Sequence, residues 1–223
     1  MKTTAIIVAA GSGSRLNSET PKQFLDLAGK PVVVHTLERF ASAPSVDNLI
    51  VVLAAEHVTR LGSLQIDKPV RVVTGGATRA ESVSNGLAAI EGDVEVVAVH
   101  DGARPFVSVD EIERTIEKAK EMGAACLVGS VTDTIKTIAG GEISGTLDRD
   151  KLRRALTPQV FKTEVIRRAF EVGDLDESVT DECYLVEKLG HPIAFVEGSS
   201  RNIKITHAED LTLAEMIAKG RFE

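Results

Sequence analysis

The sequence contains no tryptophan, one tyrosine and only two cysteines among its 223 residues. Cys126 and Cys183 are too few and too far apart for a disulfide framework or a zinc site, so we expect both to be buried free thiols. Long hydrophobic runs are also absent. The apolar start at residues 5–10 is shorter than a signal-peptide core or a membrane span. These absences predict a soluble cytoplasmic protein whose core needs neither disulfides nor a structural metal.

The chain also has fewer positively charged residues than negatively charged ones. The chain has 26 Lys and Arg against 33 Asp and Glu, which gives a net charge of −7 and a pI near 5.4. This balance argues against a protein that binds nucleic acid or an anionic membrane through its overall charge. It is compatible with a small anionic substrate, because a few local cations are enough to hold one.

What the sequence does contain is an alternation of short apolar runs and longer amphipathic stretches. The apolar runs predict strands at residues 4–9, 48–54, 70–73, 94–99 and 124–128. Helical spacing predicts helices at residues 32–41, 56–64, 82–90 and 109–122. Most of the strands are apolar throughout, which is typical of a sheet covered on both faces. The alternation therefore predicts an α/β fold with a doubly wound, mostly parallel sheet and right-handed crossovers.

Residues 132–149 break this alternation. Two short β-type runs flank Ala139-Gly140-Gly141, which predicts a hairpin from strands at 134–138 and 142–147. An isolated two-stranded hairpin is marginally stable in water, so we expect it to pack against something else. We interpret it as a protruding β-arm for homodimerisation, with an ordinary surface hairpin as the alternative. We expect a single domain over residues 1–223, whose remaining helices and strands are at 163–172, 181–189, 192–196, 203–205 and from 208.

The predicted first strand leads directly into a glycine-rich turn, Ala9-Ala10-Gly11-Ser12-Gly13-Ser14-Arg15-Leu16. The turn lacks the third glycine of the dinucleotide-binding fingerprint and the Gly-Lys-Ser/Thr of a P-loop. In doubly wound sheets, ligands bind beyond the carboxyl ends of strands, where the backbone N–H groups of such a turn can approach phosphate. Arg15 and Lys22 flank this turn. Two such cations suit transfer at phosphorus, where charge spreads over the equatorial oxygens of the transition state.

Three later segments fit the same chemistry. Residues 75–82 follow the third predicted strand and offer backbone groups and a hydroxyl for a base or a ribose. Asp101 follows the fourth strand, and magnesium typically takes one or two carboxylates together with substrate phosphates. Arg201 and Lys204 follow the strand predicted at 192–196. An aspartate also caps turns and a lysine is also a solvated charge, so each signal is weak alone. Together they indicate one anion-binding edge of the sheet.

A set of motifs follows one order along about residues 4–217 of the chain. The motifs are Ala9-Ala10-Gly11-Ser12-Gly13-Ser14-Arg15, Pro21-Lys22-Gln23, Gly75-Gly76-x-x-Arg79-x-x-Ser82, His100-Asp101-Gly102-Ala103-Arg104-Pro105, Leu156-Thr157-Pro158-Gln159, Thr180-Asp181-Glu182 and Asn202-Ile203-Lys204-Ile205-Thr206. This set resembles the 2-C-methyl-D-erythritol 4-phosphate cytidylyltransferase family. The resemblance implies a Rossmann-like nucleotidyltransferase of the non-mevalonate isoprenoid pathway. It would couple CTP with methylerythritol phosphate and release pyrophosphate.

The resemblance also implies roles for individual residues. It places Arg15 and Lys22 against the triphosphate as stabilisers of the transition state, and it makes Asp101 the ligand of Mg²⁺. Arg149 and Lys204 are implied to position the acceptor for attack. The cytidine pocket is implied at Ala9, Ala10, Gly11, Gly13, Gly76, Ser82 and Gly102. The acceptor is implied to contact Thr134, Arg149, Thr180 and Lys204, with Thr134 and Arg149 supplied by the partner in a homodimer.

Two other functions are open on the sequence alone. One is a ribitol 5-phosphate cytidylyltransferase, whose loops are closely similar, because a methyl branch changes binding by only about 1–3 kcal/mol. Segments 100–104 and 180–182 look more like the erythritol enzyme. The other is a sensor that binds a nucleotide without catalysis, which the joint presence of Arg15, Lys22 and Asp101 disfavours. The sequence does not say whether the arginines at 79, 104 and 201 contact substrate.

Overall fold

The computed structural model describes residues 1–11, 20–61, 66–175 and 179–220. The strands in these ranges are β1 (Thr3–Ala9), β2 (Asp26–Leu27), β3 (Lys30–Pro31), β4 (Asn48–Leu53), β5 (Val70–Thr74), β6 (Val96–Asp101), β7 (Ala124–Ser130), β8 (Lys136–Ala139), β9 (Glu142–Thr146), β10 (Arg153–Lys162) and β11 (Ala194–Glu197). The α-helices are α1 (Val32–Ala41), α2 (Arg79–Ala88), α3 (Val109–Met122), α4 (Thr163–Val172), α5 (Glu182–Lys188) and α6 (Ala208–Ala218). Short 3₁₀ helices lie at Lys22–Phe24, Ala55–Leu61 and Arg149–Lys151.

Seven of these strands form one sheet, in the order β11-β7-β10-β6-β1-β4-β5. Strand β1 pairs in parallel with β4 on one side and with β6 on the other. The pairs β4–β5 and β7–β11 are parallel as well. Only β10 is reversed, since it runs antiparallel to both β6 and β7. The prediction of a mostly parallel sheet is therefore confirmed, and the carboxyl ends of β1, β5 and β6 lie at the same edge.

Both faces of this sheet are covered by helices. In β1, Ile7 belongs to a buried cluster with residues of α1 and α3, whereas Ile6 belongs to a cluster with residues of α2, α4 and α5. Successive side chains of a strand point to opposite faces, so β1 is buried on both sides. Cys126 and Cys183 are both buried and free, as predicted. Within the described ranges, no helix has the length and apolar character needed to cross a membrane.

The helix boundaries follow their capping residues. The predicted helix at 109–122 is confirmed as α3, where Ser108 and Glu111 form a capping box and Gly123 ends the helix with φ of 89°. Helix α2 begins at residue 79 rather than 82, because Thr78 caps it in a second capping box. The helix predicted at 56–64 is a 3₁₀ helix over 55–61, and residues 62–65 lie outside the described ranges.

The sequence pattern gave no sign of β10, and the prediction of a strand at 203–205 is wrong. A proline within an apolar run argues against a central strand, because proline has no N–H for the ladder. Pro158 lies where the register of β10 against β7 shifts, between Ala155 and Gln159. Residues 203–205 are held in place by contacts other than the hydrogen-bond ladder of a strand. Ile205 donates its N–H to the Ala103 carbonyl at 2.9 Å and packs into a small buried cluster, so no ladder is needed to keep it there.

The predicted hairpin is present as β8 and β9, which form a two-stranded sheet separate from the large one. Ile138 of β8 lies opposite Ile143 of β9. Their exposed fractions are 74% and 69%, which is unusual for two aliphatic side chains facing each other. The hairpin therefore carries an uncovered apolar patch in the single chain.

Candidate active site

A cavity of about 170 Å³ opens at the carboxyl ends of β1, β5 and β6. This is the edge of a doubly wound sheet at which ligands bind. Eight of the residues predicted from the sequence line the cavity. They are Ala9, Ala10, Gly11, Lys22, Gly76, Ser82, Asp101 and Lys204. The structure therefore brings together side chains and backbone from five separate motifs.

One wall of the cavity is made largely of backbone, because two glycine-containing loops approach each other closely. A Cβ atom on Gly75 would lie 2.5 Å from the Cβ of Ala10, so a side chain there would force the loops apart. The hydroxyl of Ser82 accepts from the N–H of Gly76 at 3.2 Å and donates to the carbonyl of Thr78 at 2.9 Å. These bonds hold the second loop against the first turn of α2. A backbone wall of this kind suits a base or a phosphate.

Asp101 lines the same cavity and pairs with three cations. Its Oδ1 lies 3.2 Å from Arg79 Nε, and its Oδ2 lies 3.2 Å from Arg104 Nε and 2.9 Å from Lys204 Nζ. Burial favours the neutral acid, but Arg79, Lys204 and Arg104 outweigh it and hold the pKa of the Asp101 carboxyl far below its usual range. Asp101 is therefore a carboxylate throughout the physiological pH range.

Arg79 connects Asp101 to a second carboxylate, that of Glu182. Its Nη1 lies 2.5 Å from Glu182 Oε1 and its Nη2 lies 3.1 Å from Oε2, which makes the pair bidentate. Burial opposes the charge of Arg79, but the two carboxylates raise its pKa above the ordinary value. Burial also raises the pKa of Glu182, against the opposing effect of Arg79. The cluster thus carries three formal positive charges against two negative ones, before Lys22 is included, and favours an anionic ligand.

His100, directly before Asp101, has a structural role. The hydroxyl of Thr157 accepts from the Asp101 N–H at 3.2 Å and lies 2.9 Å from His100 Nδ1, to which it can donate its own hydrogen. His100 Nε2 then donates to the carbonyl of Arg104 at 3.1 Å. Burial lowers the pKa of His100 to about 3, so the ring is neutral. Its two bonds fix the backbone on either side of Asp101.

The residues of this cavity fit a magnesium ion that arrives with its substrate. Within the described ranges, no cluster of three or more His, Cys, Asp or Glu side chains is present that would form a metal site by itself. Magnesium needs only one or two carboxylates when substrate phosphates supply other ligands. Asp101 is ionised and lines the cavity, so its carboxylate satisfies this requirement.

The remaining predicted residues are placed as follows. Gly102 lies beside the cavity, where its N–H donates to the Val8 carbonyl at 2.8 Å. Gly13 and Arg15 lie outside the described residues. Thr134, Arg149 and Thr180 are exposed and are not among the residues that line the cavity. Arg149 instead donates to the carbonyl of Thr132 at 2.7 Å, at the base of the hairpin. A single described chain therefore brings Lys204, but not these three residues, to the cavity.

Two important residues had no assigned role in the sequence analysis. Arg79 and Glu182 both lie within quoted motifs, so their positions carried a signal, but nothing in the sequence paired them. They are 103 residues apart and come from α2 and α5. The pairing becomes visible only when β10 places α5 next to the cavity. Arg104 is likewise explained, since it contacts Asp101 and donates to the Asn202 carbonyl at 3.0 Å.

A doubly wound sheet, a glycine-containing loop after β1 and a group of cations at its carboxyl edge together define a Rossmann-like nucleotidyltransferase. Comparison with solved structures agrees. The 4-diphosphocytidyl-2C-methyl-D-erythritol synthase from Anaerococcus prevotii has a TM-score of 0.87 and 30% identity, covering 98% of this chain and 96% of that one.

Sequence comparison identifies the particular family. A family model described as 2-C-methyl-D-erythritol 4-phosphate cytidylyltransferase matches residues 3–220. The enzyme of that name from Endomicrobium trichonymphae is 44% identical over 221 residues, covering 99% of this chain and 100% of that protein. A bifunctional enzyme (IspD/IspF) from Desulfotalea psychrophila is 40% identical over 228 residues, and the chain spans 58% of its length. The chain belongs to the 2-C-methyl-D-erythritol 4-phosphate cytidylyltransferase family.

Proposed function

We propose that this protein transfers a cytidylyl group from CTP to 2-C-methyl-D-erythritol 4-phosphate and releases pyrophosphate, as a step of non-mevalonate isoprenoid synthesis. The observation that carries the proposal is the cavity lined by Lys22, Arg79, Asp101 and Lys204, in a chain of this family. The products follow from the chemistry. The acceptor phosphate forms a bond to the α-phosphorus of CTP, and the bond from that phosphorus to the β-phosphate oxygen breaks.

The reaction needs no general base, because the acceptor is a phosphate monoester. Its second pKa is about 6, so it is largely dianionic at neutral pH and already a nucleophile. The obstacle is repulsion between this dianion and the triphosphate. Lys204 and Arg149 position the nucleophile in line with the α-phosphorus, and Arg15 and Lys22 stabilise the charge that develops on the phosphates. The neutral, buried His100 takes no part in proton transfer.

Magnesium belongs to the same proposal. Asp101 would hold the ion together with oxygens of the triphosphate, and the bound ion would screen phosphate charge. The three cations around Asp101 keep it ionised, so it carries the negative charge that a magnesium ligand needs. Ala9, Ala10, Gly11 and the Gly76 loop would supply the backbone wall for the cytidine.

A homodimer completes the proposed site. Arg149 and Thr134 lie at the hairpin and not at the cavity of their own chain, and the exposed Ile138–Ile143 pair gives the hairpin an apolar patch for a partner. We propose that each hairpin supplies Arg149 and Thr134 to the partner's cavity. Lys204 would contact the acceptor from the chain that binds CTP. Thr180 is exposed outside that cavity, and its contact with the acceptor stays a prediction from the sequence. We place the enzyme in the cytoplasm, because Cys126 and Cys183 are free thiols, as is usual in that reducing compartment.

Family membership favours methylerythritol phosphate over ribitol 5-phosphate as acceptor, and catalysis over a sensor. The test is pyrophosphate release, measured with CTP, UTP and ATP in turn, with each acceptor and with none. We expect release only when CTP and methylerythritol phosphate are both present with Mg²⁺. Faster pyrophosphate release with ribitol 5-phosphate would instead indicate a ribitol 5-phosphate cytidylyltransferase. CTP binding with no release for either acceptor would indicate the sensor.

A further inference from the structure

Glu182 makes the most complete ion pair around the cavity, yet its own side chain cannot touch a ligand there. Its carboxylate is 0% exposed, and Glu182 is not part of the cavity wall. Both of its oxygens contact Arg79, at 2.5 and 3.1 Å. The mechanism proposed above assigns no role to this buried carboxylate. Burying a charge costs free energy unless it is paired, so its presence next to the site calls for an explanation.

The geometry of Arg79 shows what Glu182 does. A guanidinium group is planar, so a bidentate contact to two of its nitrogens fixes the plane and therefore the direction of the third. The third nitrogen, Nε, donates to Asp101 Oδ1 at 3.2 Å. The other Asp101 oxygen is held by Arg104 and Lys204. Arg79 is thus the contact that holds Oδ1, and Glu182 sets the direction from which Arg79 approaches it.

Glu182 is itself held in place by β10. The Oε1 atom of Gln159 accepts from the backbone N–H groups of Glu182 and Cys183, each at 3.0 Å. The Nε2 atom of Gln159 donates to Asp181 Oδ2 at 2.9 Å, while Asp181 Oδ1 accepts from the Tyr184 N–H at 2.9 Å. The first turn of α5 is therefore fixed to the sheet by a buried amide. A continuous set of bonds runs from Gln159 through Glu182 and Arg79 to Asp101.

We propose that Glu182 is a positioning residue for the transfer reaction, which orients Arg79 and, through Arg79, the Asp101 carboxylate that faces the nucleotide. This inference rests on the proposed function and assigns a further residue to it. A purely structural role would be different: Glu182 would only tie α5 to α2. The two roles separate experimentally. A structural tie would lower thermal stability and leave the turnover and CTP affinity of the folded protein unchanged, whereas loss of a positioning residue lowers turnover and CTP affinity as well. A double-mutant cycle with Arg79 then shows whether that loss passes through Arg79.

The test compares Glu182→Gln with wild type and with a matched control. Glu182→Gln keeps the shape of the side chain and removes its charge. Glu113→Gln is the control, because the Glu113 carboxylate accepts from the Ser45 N–H at 2.9 Å and the Ser45 hydroxyl at 2.6 Å, outside the catalytic machinery. We measure pyrophosphate release, CTP affinity by calorimetry in the presence of Mg²⁺, and thermal unfolding. The same is done for Arg79→Gln and for Arg79→Gln with Glu182→Gln.

We expect Glu182→Gln to lower turnover and CTP affinity about 10- to 100-fold, the usual cost of removing a partner that orients a ligand. In the Arg79→Gln background, adding Glu182→Gln should lower turnover and CTP affinity by no more than about two-fold further, because the effect of Glu182 passes through Arg79. If Glu182→Gln does not fold, Arg79→Lys serves instead. It keeps the positive charge but loses the planar fork. It should show the same loss of turnover and CTP affinity.

Three results would overturn the inference. The first is unchanged turnover and CTP affinity in Glu182→Gln, and the second is an equal loss of turnover from Glu182→Gln in the wild-type and Arg79→Gln backgrounds. The third, where Arg79→Lys is used in place of Glu182→Gln, is a fully active Arg79→Lys. Failure of the proposed function is recognised separately. Wild-type protein would then release no pyrophosphate with methylerythritol phosphate, while CTP calorimetry on the same variants still decides the role of Glu182.

Discussion

At Asp101, one carboxylate is shared by Arg79, Arg104 and Lys204, and it also lines the cavity. We predict that Asp101→Asn raises the Mg²⁺ concentration needed for half-maximal turnover, because an amide is a weaker ligand. It should also lower the free energy of unfolding by about 1–3 kcal/mol, since three cations lose their counter-charge. A magnesium titration of pyrophosphate release and a denaturant titration measure the two effects.

The control for Asp101 is Asp110→Asn. Asp110 pairs with Arg114 across the surface of α3 at 2.8 Å, where an exposed pair contributes little. Its magnesium requirement should match wild type and its stability should change by no more than about 0.5 kcal/mol. A magnesium titration of Asp101→Asn that overlays the wild type would mean that Asp101 only neutralises its three neighbours.

His100 predicts how the free energy of unfolding depends on pH. It is buried against Arg104 and close to Asp101 and Lys204, and burial lowers its pKa to about 3, whereas an unfolded histidine titrates near 6.5. Between these values the unfolded chain binds a proton that the folded chain does not. The free energy of unfolding should therefore fall as pH drops below about 6.5, by up to about 1.4 kcal/mol per pH unit from this residue.

The measurement is the free energy of unfolding of wild type and His100→Gln between pH 6.5 and 5, where most carboxylates stay ionised. The variant has no titrating ring, so we expect it to be less stable at pH 7 but to show a shallower fall. Equal slopes for the two proteins would contradict a buried, neutral His100.

At the scale of elements, Gln159 of β10 holds the first turn of α5 through three hydrogen bonds. We predict that Gln159→Leu, which keeps a similar volume, lowers the free energy of unfolding by about 1–3 kcal/mol, because buried N–H groups lose their acceptor. Asn85→Ala is the control. Asn85 is exposed and donates to the Thr74 carbonyl at 3.0 Å, so loss of this bond should cost no more than about 0.5 kcal/mol. Similar stabilities for the two variants would contradict the role given to Gln159.

The elements also show what the sequence could and could not predict. Apolar runs identified the parallel strands such as β1 and β4, because strands covered on both faces leave a simple pattern. The carboxyl ends of those strands also predicted that the glycine turn, Asp101 and Lys204 lie at one edge of the sheet. The apolar pattern did not reveal β10, whose Pro158 and Gln159 interrupt it. Without β10 the position of α5 was unknown, and so the Arg79–Glu182 ion pair could not be predicted from the sequence.

At the scale of the whole molecule, the proposed dimer predicts complementation between two inactive variants. Lys22→Ala damages the cavity, and Arg149→Ala damages the hairpin that the partner would receive. In a mixed dimer with exchanged hairpins, one site collects both changes and the other collects neither. Random pairing makes about half of the dimers mixed, so about a quarter of the sites should be intact by this two-fold symmetry. Pyrophosphate release after refolding the two variants together measures that recovery.

Refolding each variant alone is the control, and both should stay inactive. A mixture that stays inactive, although mass spectrometry shows mixed dimers, would mean that each hairpin serves its own chain. A protein that sediments as a monomer at working concentrations would contradict the dimer itself.

The central claim, that the cation-lined cavity joins CTP to methylerythritol phosphate, is tested most directly by offering both acceptors at once. Equal concentrations of methylerythritol phosphate and ribitol 5-phosphate are supplied with CTP and Mg²⁺, and the products are identified by mass. We predict that the methylerythritol product dominates, by about 10-fold or more, and that one pyrophosphate appears for each product molecule. A mixture dominated by the ribitol product, or pyrophosphate without either product, would contradict the claim.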